Sequence, residues 1–120
     1  MKGKGLSIQL YDCKNDIGVE EAALLIDEII AAIEMNKLGR ASVQQGKAGM
    51  PGFSIIQMIE TSHLALHTFS ESNCYMFNLE SCKDYDEYAV KDLLNAALQP
   101  SNVKELTYSI ELPDSVLTGD

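Results

Sequence analysis

The chain has 120 residues, 46% of them hydrophobic and 22% charged, and its 18 acidic and 9 basic residues give a formal net charge of −9. This size suits a domain that buries its own hydrophobic core, and we expect residues 1–120 to form a single domain without repeats or low-complexity tracts. The acidic balance argues against a nucleic-acid partner, which would require a basic face, and is compatible with a cationic small molecule or with a role in solubility alone.

The first half of the chain predicts a strand, a helix and a loop. Residues 6–10 alternate between apolar and polar side chains, as in a half-buried strand. Apolar residues then recur at helical spacing and predict an amphipathic helix over about residues 19–36, with Asp16 as its N-cap and Gly39 near its end. Three glycines and a proline between Gln44 and Gly52 predict a loop, long enough to indicate a functional role.

The second half predicts three strands, a helix and a last strand. Residues 54–59, 64–69 and 75–79 have the pattern of an antiparallel meander. Asp84 or Asp86 would cap a second helix that continues to Pro100, and a last strand follows over about residues 103–112. This order predicts the α/β (α+β) class, a two-layer sandwich of a mainly antiparallel sheet with two helices on one face. The other sheet face would be wet or covered by a second copy of the chain.

Neither a signal peptide nor a membrane-spanning segment is predicted. No apolar run follows Lys2 and Lys4, and acidic residues interrupt the longest helical apolar stretch, residues 22–35. The three cysteines cannot all pair with one another and lack CxxC spacing. Free thiols in a reducing, cytoplasmic setting are therefore expected.

Ser62, His63 and His67 interrupt an otherwise apolar strand. Strand alternation places both histidines on one face of the sheet. The two histidines lack a third ligand at characteristic spacing, so a metal site is not predicted. Hydrogen bonding to backbone is the ordinary role of such histidines. Neither a GxSxG elbow nor a Ser-His-Asp order supports a hydrolase, and Cys82 could be a nucleophile, a proton donor or an inert buried thiol. Composition and spacing alone therefore assign no reaction.

The segment from Gly52 to Glu71, GFSIIQMIETSHLALHTFSE, resembles the central motif of the short prokaryotic S-adenosylmethionine decarboxylases, GxSGxxxxxESHxxxHTWPE. A cysteine follows one strand later in that family, where this chain has LESC at 79–82. The element order also agrees over nearly the whole chain. The residues that fall in register without a gap are Ser54, Ser62, His63, His67, Thr68, Glu71 and Cys82.

The resemblance implies a proenzyme that cleaves itself between Thr61 and Ser62. The Ser62 hydroxyl would attack the Thr61 carbonyl, and elimination of the ester would leave a pyruvoyl group, the family's cofactor, at the new N-terminus. The products would be a β chain, 1–61, and an α chain, 62–120. Ser54 would stabilise the ester-forming intermediate, and His67 would act as base or proton shuttle in the elimination.

In the mature enzyme, the resemblance implies that the pyruvoyl group derived from Ser62 forms a Schiff base with the substrate amine and takes up electrons as carbon dioxide leaves. Cys82 would return a proton to the carbanion. Phe69 and Glu71 would contribute to substrate binding, and no metal would be needed. The family further implies a homodimer of processed protomers that supplies the aminopropyl donor for spermidine.

Some positions depart from the family motif. Thr61 replaces the glutamate directly before the processed serine, while Phe69 and Ser70 replace a tryptophan and a proline. Two alternatives to S-adenosylmethionine decarboxylation therefore stay open. A decarboxylase of the same chemistry would act on ornithine or arginine, and a homologue that does not process itself would bind or regulate a partner enzyme.

Overall fold

In a computed structural model of the protein, residues 1–46 and 51–114 are described, and in these ranges six strands and two helices follow one another along the chain. Their bounds are β1 Lys2–Tyr11, α1 Val19–Ala32, β2 Ser42–Gln45, β3 Phe53–Ile59, β4 Ser62–Phe69, β5 Cys74–Ser81, α2 Glu87–Leu98 and β6 Asn102–Glu111, with a short 3-10 turn, Ser70–Ser72, between β4 and β5.

All six strands join one antiparallel sheet in the order β2-β3-β4-β5-β1-β6. Strands β2 to β5 pair with their neighbours in sequence, whereas β1 inserts between β5 and β6. The predicted class, an α+β sandwich with a mainly antiparallel sheet, is confirmed.

One face of the sheet packs against both helices. Strand alternation turns every second residue of the central strands inward, so that Leu6, Ile8 and Leu10 of β1 are almost fully buried. The helices pack against these residues through apolar stripes with spacings of three and four residues. These stripes consist of Ala22, Leu25, Ile26, Ile29 and Ile30 in α1 and of Val90, Leu94 and Leu98 in α2.

The two helices begin in different ways. The Asp86 carboxylate accepts hydrogen bonds from the backbone amides of Tyr88 and Ala89 and therefore caps α2, as predicted. The predicted Asp16 cap of α1 is wrong, because Gly18 occupies the N-cap position and no side chain caps this end.

Two predicted boundaries of the first half are also wrong. Helix α1 ends at Ala32 rather than near residue 36, because Glu34 takes a left-handed backbone conformation with φ of 57°. Gln44 and Gln45 belong to β2 rather than to a loop. This edge strand is exposed along its length, so hydrophobic periodicity could not detect it. Residues 47–50 of the predicted loop lie outside the described residues.

The second face of the sheet, called the open face below, carries no helix in the described parts of the chain. It presents His63 and His67 on the same side, as strand alternation predicted. Several large apolar side chains on it are exposed: Ile56, Met58, Phe69, Leu106 and Tyr108. No helix among residues 1–46 and 51–114 has the length and apolar character needed to cross a membrane.

Candidate active site

The turn between β3 and β4 holds the predicted cleavage position. Glu60 and Thr61 form this turn, and Ser62 is the first residue of β4, two residues earlier than the predicted start of the strand. The segment that leaves α1 supports the turn, because the Glu60 amide donates a hydrogen bond to the Asn36 carbonyl at 3.1 Å. The peptide bond between Thr61 and Ser62 is therefore held in an ordered hairpin.

The Thr61 carbonyl is also engaged from the neighbouring strand. The Cys82 backbone amide, directly after β5, donates to the Thr61 carbonyl oxygen at 3.1 Å. The Ser62 side chain is half-buried, and its Oγ lies 3.3 Å from Nδ1 of His63. An amide aimed at a carbonyl oxygen stabilises the negative charge that forms when a nucleophile adds to that carbonyl. Thr61, Ser62, His63 and Cys82 are called the turn cluster below.

Gly3 sets how closely β1 approaches the turn cluster. A Cβ at this position would overlap the Ser81 carbonyl and the backbone of Cys82. The β1–β5 ladder runs up to the pair Lys4 and Ser81, next to this contact. A side chain at position 3 would push the end of β5 away, so the glycine allows Cys82 to stay beside Thr61.

The other predicted site residues meet at the opposite end of the β3–β4 hairpin. Ser54 Oγ lies 2.7 Å from His67 Nδ1, and both line a cavity of about 530 Å³ together with Phe69 and Glu71. These four residues are called the cavity cluster below. The cavity is also bordered by Gly52, whose φ of 128° and lack of Cβ allow it to pack against the Thr68 backbone.

The register of the hairpin separates the two clusters. Ile59 pairs with Ser62 at the turn, whereas Ser54 pairs with His67 five residues farther along the strands. At about 3.3 Å per residue, roughly 17 Å of strand lies between them. Within one protomer, the structure therefore brings Ser62 together with Cys82 and Ser54 together with His67, and it keeps the two pairs apart.

A second cavity, of about 320 Å³, lies on the open face between the two clusters and is lined in part by His63, His67, Glu80 and Tyr108. The Tyr108 ring covers Gly5, where a Cβ would collide with it, and its hydroxyl donates to the Glu80 carboxylate. This hydrogen bond raises the pKa of Tyr108 to about 12, so the hydroxyl stays protonated at neutral pH. Glu80 pairs directly with His63 across the β4–β5 ladder. The cavity thus presents a fixed carboxylate next to the turn cluster.

A family model for S-adenosylmethionine decarboxylase matches residues 4–109, which include both clusters. The chain belongs to the S-adenosylmethionine decarboxylase family. Its fold is similar to that in the crystal structure of the adenosylmethionine decarboxylase from Aquifex aeolicus, with a TM-score of 0.78 and 17% sequence identity over 93% of this chain and 92% of that chain. Family membership supports a decarboxylase of S-adenosylmethionine, and the structural match shows the shared fold.

Three residues of this S-adenosylmethionine decarboxylase family member were missed from the sequence. Ser81 is a polar residue at an inward position of β5, after Tyr75, Phe77 and Leu79, and this break in the apolar pattern is a signal that could have found it. Glu80 and Tyr108 gave no signal, since they meet only because β1 inserts between β5 and β6. Among the described residues no three His, Cys, Asp or Glu side chains group in a way that could hold a metal ion.

Proposed function

We propose that this protein is a self-processing, pyruvoyl-dependent decarboxylase of S-adenosylmethionine that serves spermidine synthesis. The observation that carries the proposal is the hydrogen bond from the Cys82 amide to the Thr61 carbonyl, 3.1 Å long, at the peptide bond that precedes Ser62. The family's processing motif and its cysteine thus meet at a single carbonyl group, although 20 residues separate Ser62 and Cys82 in the sequence.

The turn cluster suits an N-to-O acyl shift. Ser62 Oγ bonds to the Thr61 carbonyl carbon, the carbonyl oxygen takes the electron pair, and the Cys82 amide stabilises this charge. The carbon–nitrogen bond then breaks, and the hydroxyl proton passes to the Ser62 nitrogen, leaving an ester. Loss of the Ser62 Cα proton expels the Thr61 carboxylate, and hydrolysis with release of ammonia leaves a ketone on residue 62.

The residues around Ser62 fit a pyruvoyl group at this position. Its ketone supplies a carbonyl that condenses with the substrate amine and accepts the electron pair left by carbon dioxide. Cys82 is partly exposed and follows β5 at the residue next to Ser81, which pairs with Ser62. This proximity supports Cys82 as the residue that returns a proton after carbon dioxide leaves.

The separation of the two clusters supports a homodimer in which the sites are shared. Ser54 and His67 lie roughly 17 Å of strand from Ser62 in the same protomer, too far for direct contact. In a two-fold interface, two patches on one face each meet the other patch of the partner. If the open faces pack together with the axis between the clusters, the partner's Ser54–His67 pair lies beside His63, whose Nδ1 is 3.3 Å from Ser62 Oγ. The exposed apolar side chains of the open face suit such burial.

Intact mass spectrometry of the purified protein under denaturing conditions tests self-cleavage. We expect two fragments that divide between Thr61 and Ser62, with the C-terminal fragment carrying the mass of a pyruvoyl group instead of an N-terminal serine. A single full-length mass after prolonged incubation would contradict the proposal and favour a homologue that binds or regulates a partner enzyme.

The Glu80 carboxylate favours a second candidate function, decarboxylation of ornithine or arginine. Its only side-chain hydrogen bond or ion pair among the described residues is the one from Tyr108, which leaves its second oxygen able to accept. An ammonium or guanidinium group donates hydrogen bonds to a carboxylate, whereas the sulfonium of S-adenosylmethionine carries charge but has no hydrogen to donate.

The two candidate substrates are distinguished by Glu80→Gln. If a basic amino acid is the substrate, we expect the variant to lose about ten-fold or more in kcat/KM for that amino acid, because a charge-assisted hydrogen bond is lost. Carbon dioxide release from S-adenosylmethionine, ornithine and arginine measures this. Glu28→Gln, on the exposed side of α1, is the matched control. Activity on S-adenosylmethionine alone, unchanged in Glu80→Gln, would eliminate the second candidate.

A further inference from the structure

A chain of hydrogen bonds connects the end of β5 to the side chain of the residue before Ser62. The Lys83 amide lies 3.0 Å from Ser81 Oγ, Ser81 Oγ lies 2.8 Å from Thr61 Oγ1, and Thr61 Oγ1 lies 3.3 Å from the Met35 sulfur. Ser81 is fully buried and Met35 is nearly so. The chain therefore runs through the protein interior beneath the turn.

The two ends of this chain are a donor and an acceptor. A backbone amide can only donate, and a thioether sulfur can only accept. Ser81 Oγ also lies 3.7 Å from the Met35 sulfur, but Thr61 Oγ1 is closer to it at 3.3 Å. The favoured arrangement therefore has Ser81 accept from the Lys83 amide and donate to Thr61, and Thr61 donate to Met35. Each hydroxyl uses its single hydrogen within the chain, which leaves no reason for either side chain to rotate away.

Thr61 is consequently held at two points by two consecutive residues. Its hydroxyl accepts from Ser81, and its carbonyl oxygen accepts from the Cys82 amide at 3.1 Å. Together these bonds orient the plane of the carbonyl and keep its oxygen on the Cys82 amide. A carbonyl that rotated out of this arrangement would lose the donor that stabilises its developing charge.

We propose that Thr61 and Ser81 are positioning residues for self-cleavage, through the hydrogen bond between their hydroxyls. This inference rests on the proposed function and concerns its first step. In that step Ser62 Oγ bonds to the Thr61 carbonyl carbon, the carbonyl–nitrogen bond breaks, and the hydroxyl proton moves to the departing Ser62 nitrogen. The Thr61–Ser81 pair takes no part in these bond changes and acts only by aligning the carbonyl that is attacked.

Thr61→Val tests the inference, because valine keeps the shape of threonine and removes its hydroxyl. We expect self-cleavage, followed by intact mass over time, to slow about ten-fold or more, and Ser81→Ala to slow it similarly. Thr61→Ser restores a hydroxyl and should cleave within about three-fold of the unsubstituted rate. Thr107→Val is the matched control, since it removes a threonine hydroxyl bonded at 3.0 Å to Glu87, three strands away from β4.

Hydroxylamine reports which step is affected, because it splits the ester but not an amide. If the pair aligns the carbonyl for ester formation, hydroxylamine adds no cleavage in Thr61→Val or Ser81→Ala. Cleavage of either variant at the unsubstituted rate, with or without hydroxylamine, would overturn the inference. Failure of the unsubstituted protein to cleave would instead overturn the proposed function.

Variants that cannot cleave themselves distinguish a folding defect from a positioning defect. Thermal unfolding of Thr61→Val and Ser81→Ala is measured with Ser62→Ala also present, so that every chain is intact. We expect each variant to unfold cooperatively well above the cleavage temperature, and slow cleavage then reports alignment of the carbonyl. The assay is repeated at a lower temperature, at which all variants are folded. If the variants then cleave as fast as the unsubstituted protein, the inference is contradicted.

Discussion

Ser62→Ala is expected to abolish both self-cleavage and decarboxylation. Alanine keeps the strand start and the backbone hydrogen bond from Cys82 to the Thr61 carbonyl, because neither involves the serine hydroxyl. It removes the oxygen that forms the ester and the atom that becomes the ketone, so no carbonyl cofactor can arise. Intact mass should show one chain, and carbon dioxide release should fall to background. Ser109→Ala, on the exposed edge strand β6, is the control and should behave like the unsubstituted protein. Decarboxylation that survives in Ser62→Ala would refute the pyruvoyl mechanism.

Cys82→Ala is expected to impair decarboxylation but not self-cleavage, whereas Ser62→Ala should abolish both. The donor to the Thr61 carbonyl is a backbone amide, which alanine also provides. We therefore expect normal self-cleavage with turnover reduced by about 100-fold or more, the usual contribution of a positioned proton donor. A Cys82→Ala chain that stays uncleaved would assign the thiol to processing instead.

His67→Ala is expected to stop self-cleavage in a homodimer. A partner chain with an intact His67 should restore it. The rescue follows from the roughly 17 Å of strand that separates His67 from Ser62 within one protomer. When a His67→Ala chain pairs with a Ser62→Ala chain in the proposed dimer, one shared site would contain an intact Ser62 from the first and an intact His67 from the second. The His67→Ala chain should then be cleaved, at a rate about 100-fold or more above that of its own homodimer.

Differently tagged chains, co-expressed and purified through both tags, allow this measurement by intact mass. The converse pairing supplies the control: a chain carrying both substitutions, paired with an unsubstituted chain, places intact Ser62 opposite altered His67. Cleavage should fail there if His67 acts across the interface. The opposite pattern, with the second heterodimer cleaved and the first inert, would show that His67 acts within its own protomer.

Local patterns along the chain predicted most of the fold. The inward residues of β1 and the cap at Asp86 follow from alternation and from the preference of aspartate for helix starts, both of which involve neighbours in sequence. The sequence did not predict the edge strand β2, because Ser42–Gln45 has little apolar character and its pairing with β3 depends on backbone hydrogen bonds. The failed cap at Asp16 shows that chain direction before a helix also depends on tertiary contacts, here with Tyr75.

For the candidate site, too, the features that depend on local sequence were predicted and those that depend on long-range contacts were not. The motif predicted Ser62 and Cys82, and register then explained why they meet, because Ser62 pairs with Ser81. The separation of Ser54 from Ser62 was not visible in the motif, since eight residues in sequence become opposite ends of a hairpin only once the turn is placed at Glu60 and Thr61. Contacts of Thr61 with Ser81 and Met35 join three distant segments and have no local signature.

The insertion of β1 between β5 and β6 bears on what a cut at the β3–β4 turn would do to the molecule. Residues before the cut contribute β1, β2 and β3, and those after it contribute β4, β5 and β6. In the sheet order, the two fragments then share three borders, β3–β4, β5–β1 and β1–β6. Severing the backbone leaves this interleaved sheet intact, so the fragments would remain associated without a covalent link. Once unfolded, however, they would have to find each other as separate molecules. Such a protein would assemble from one chain and, after the cut, depend on that single folding event for the rest of its lifetime.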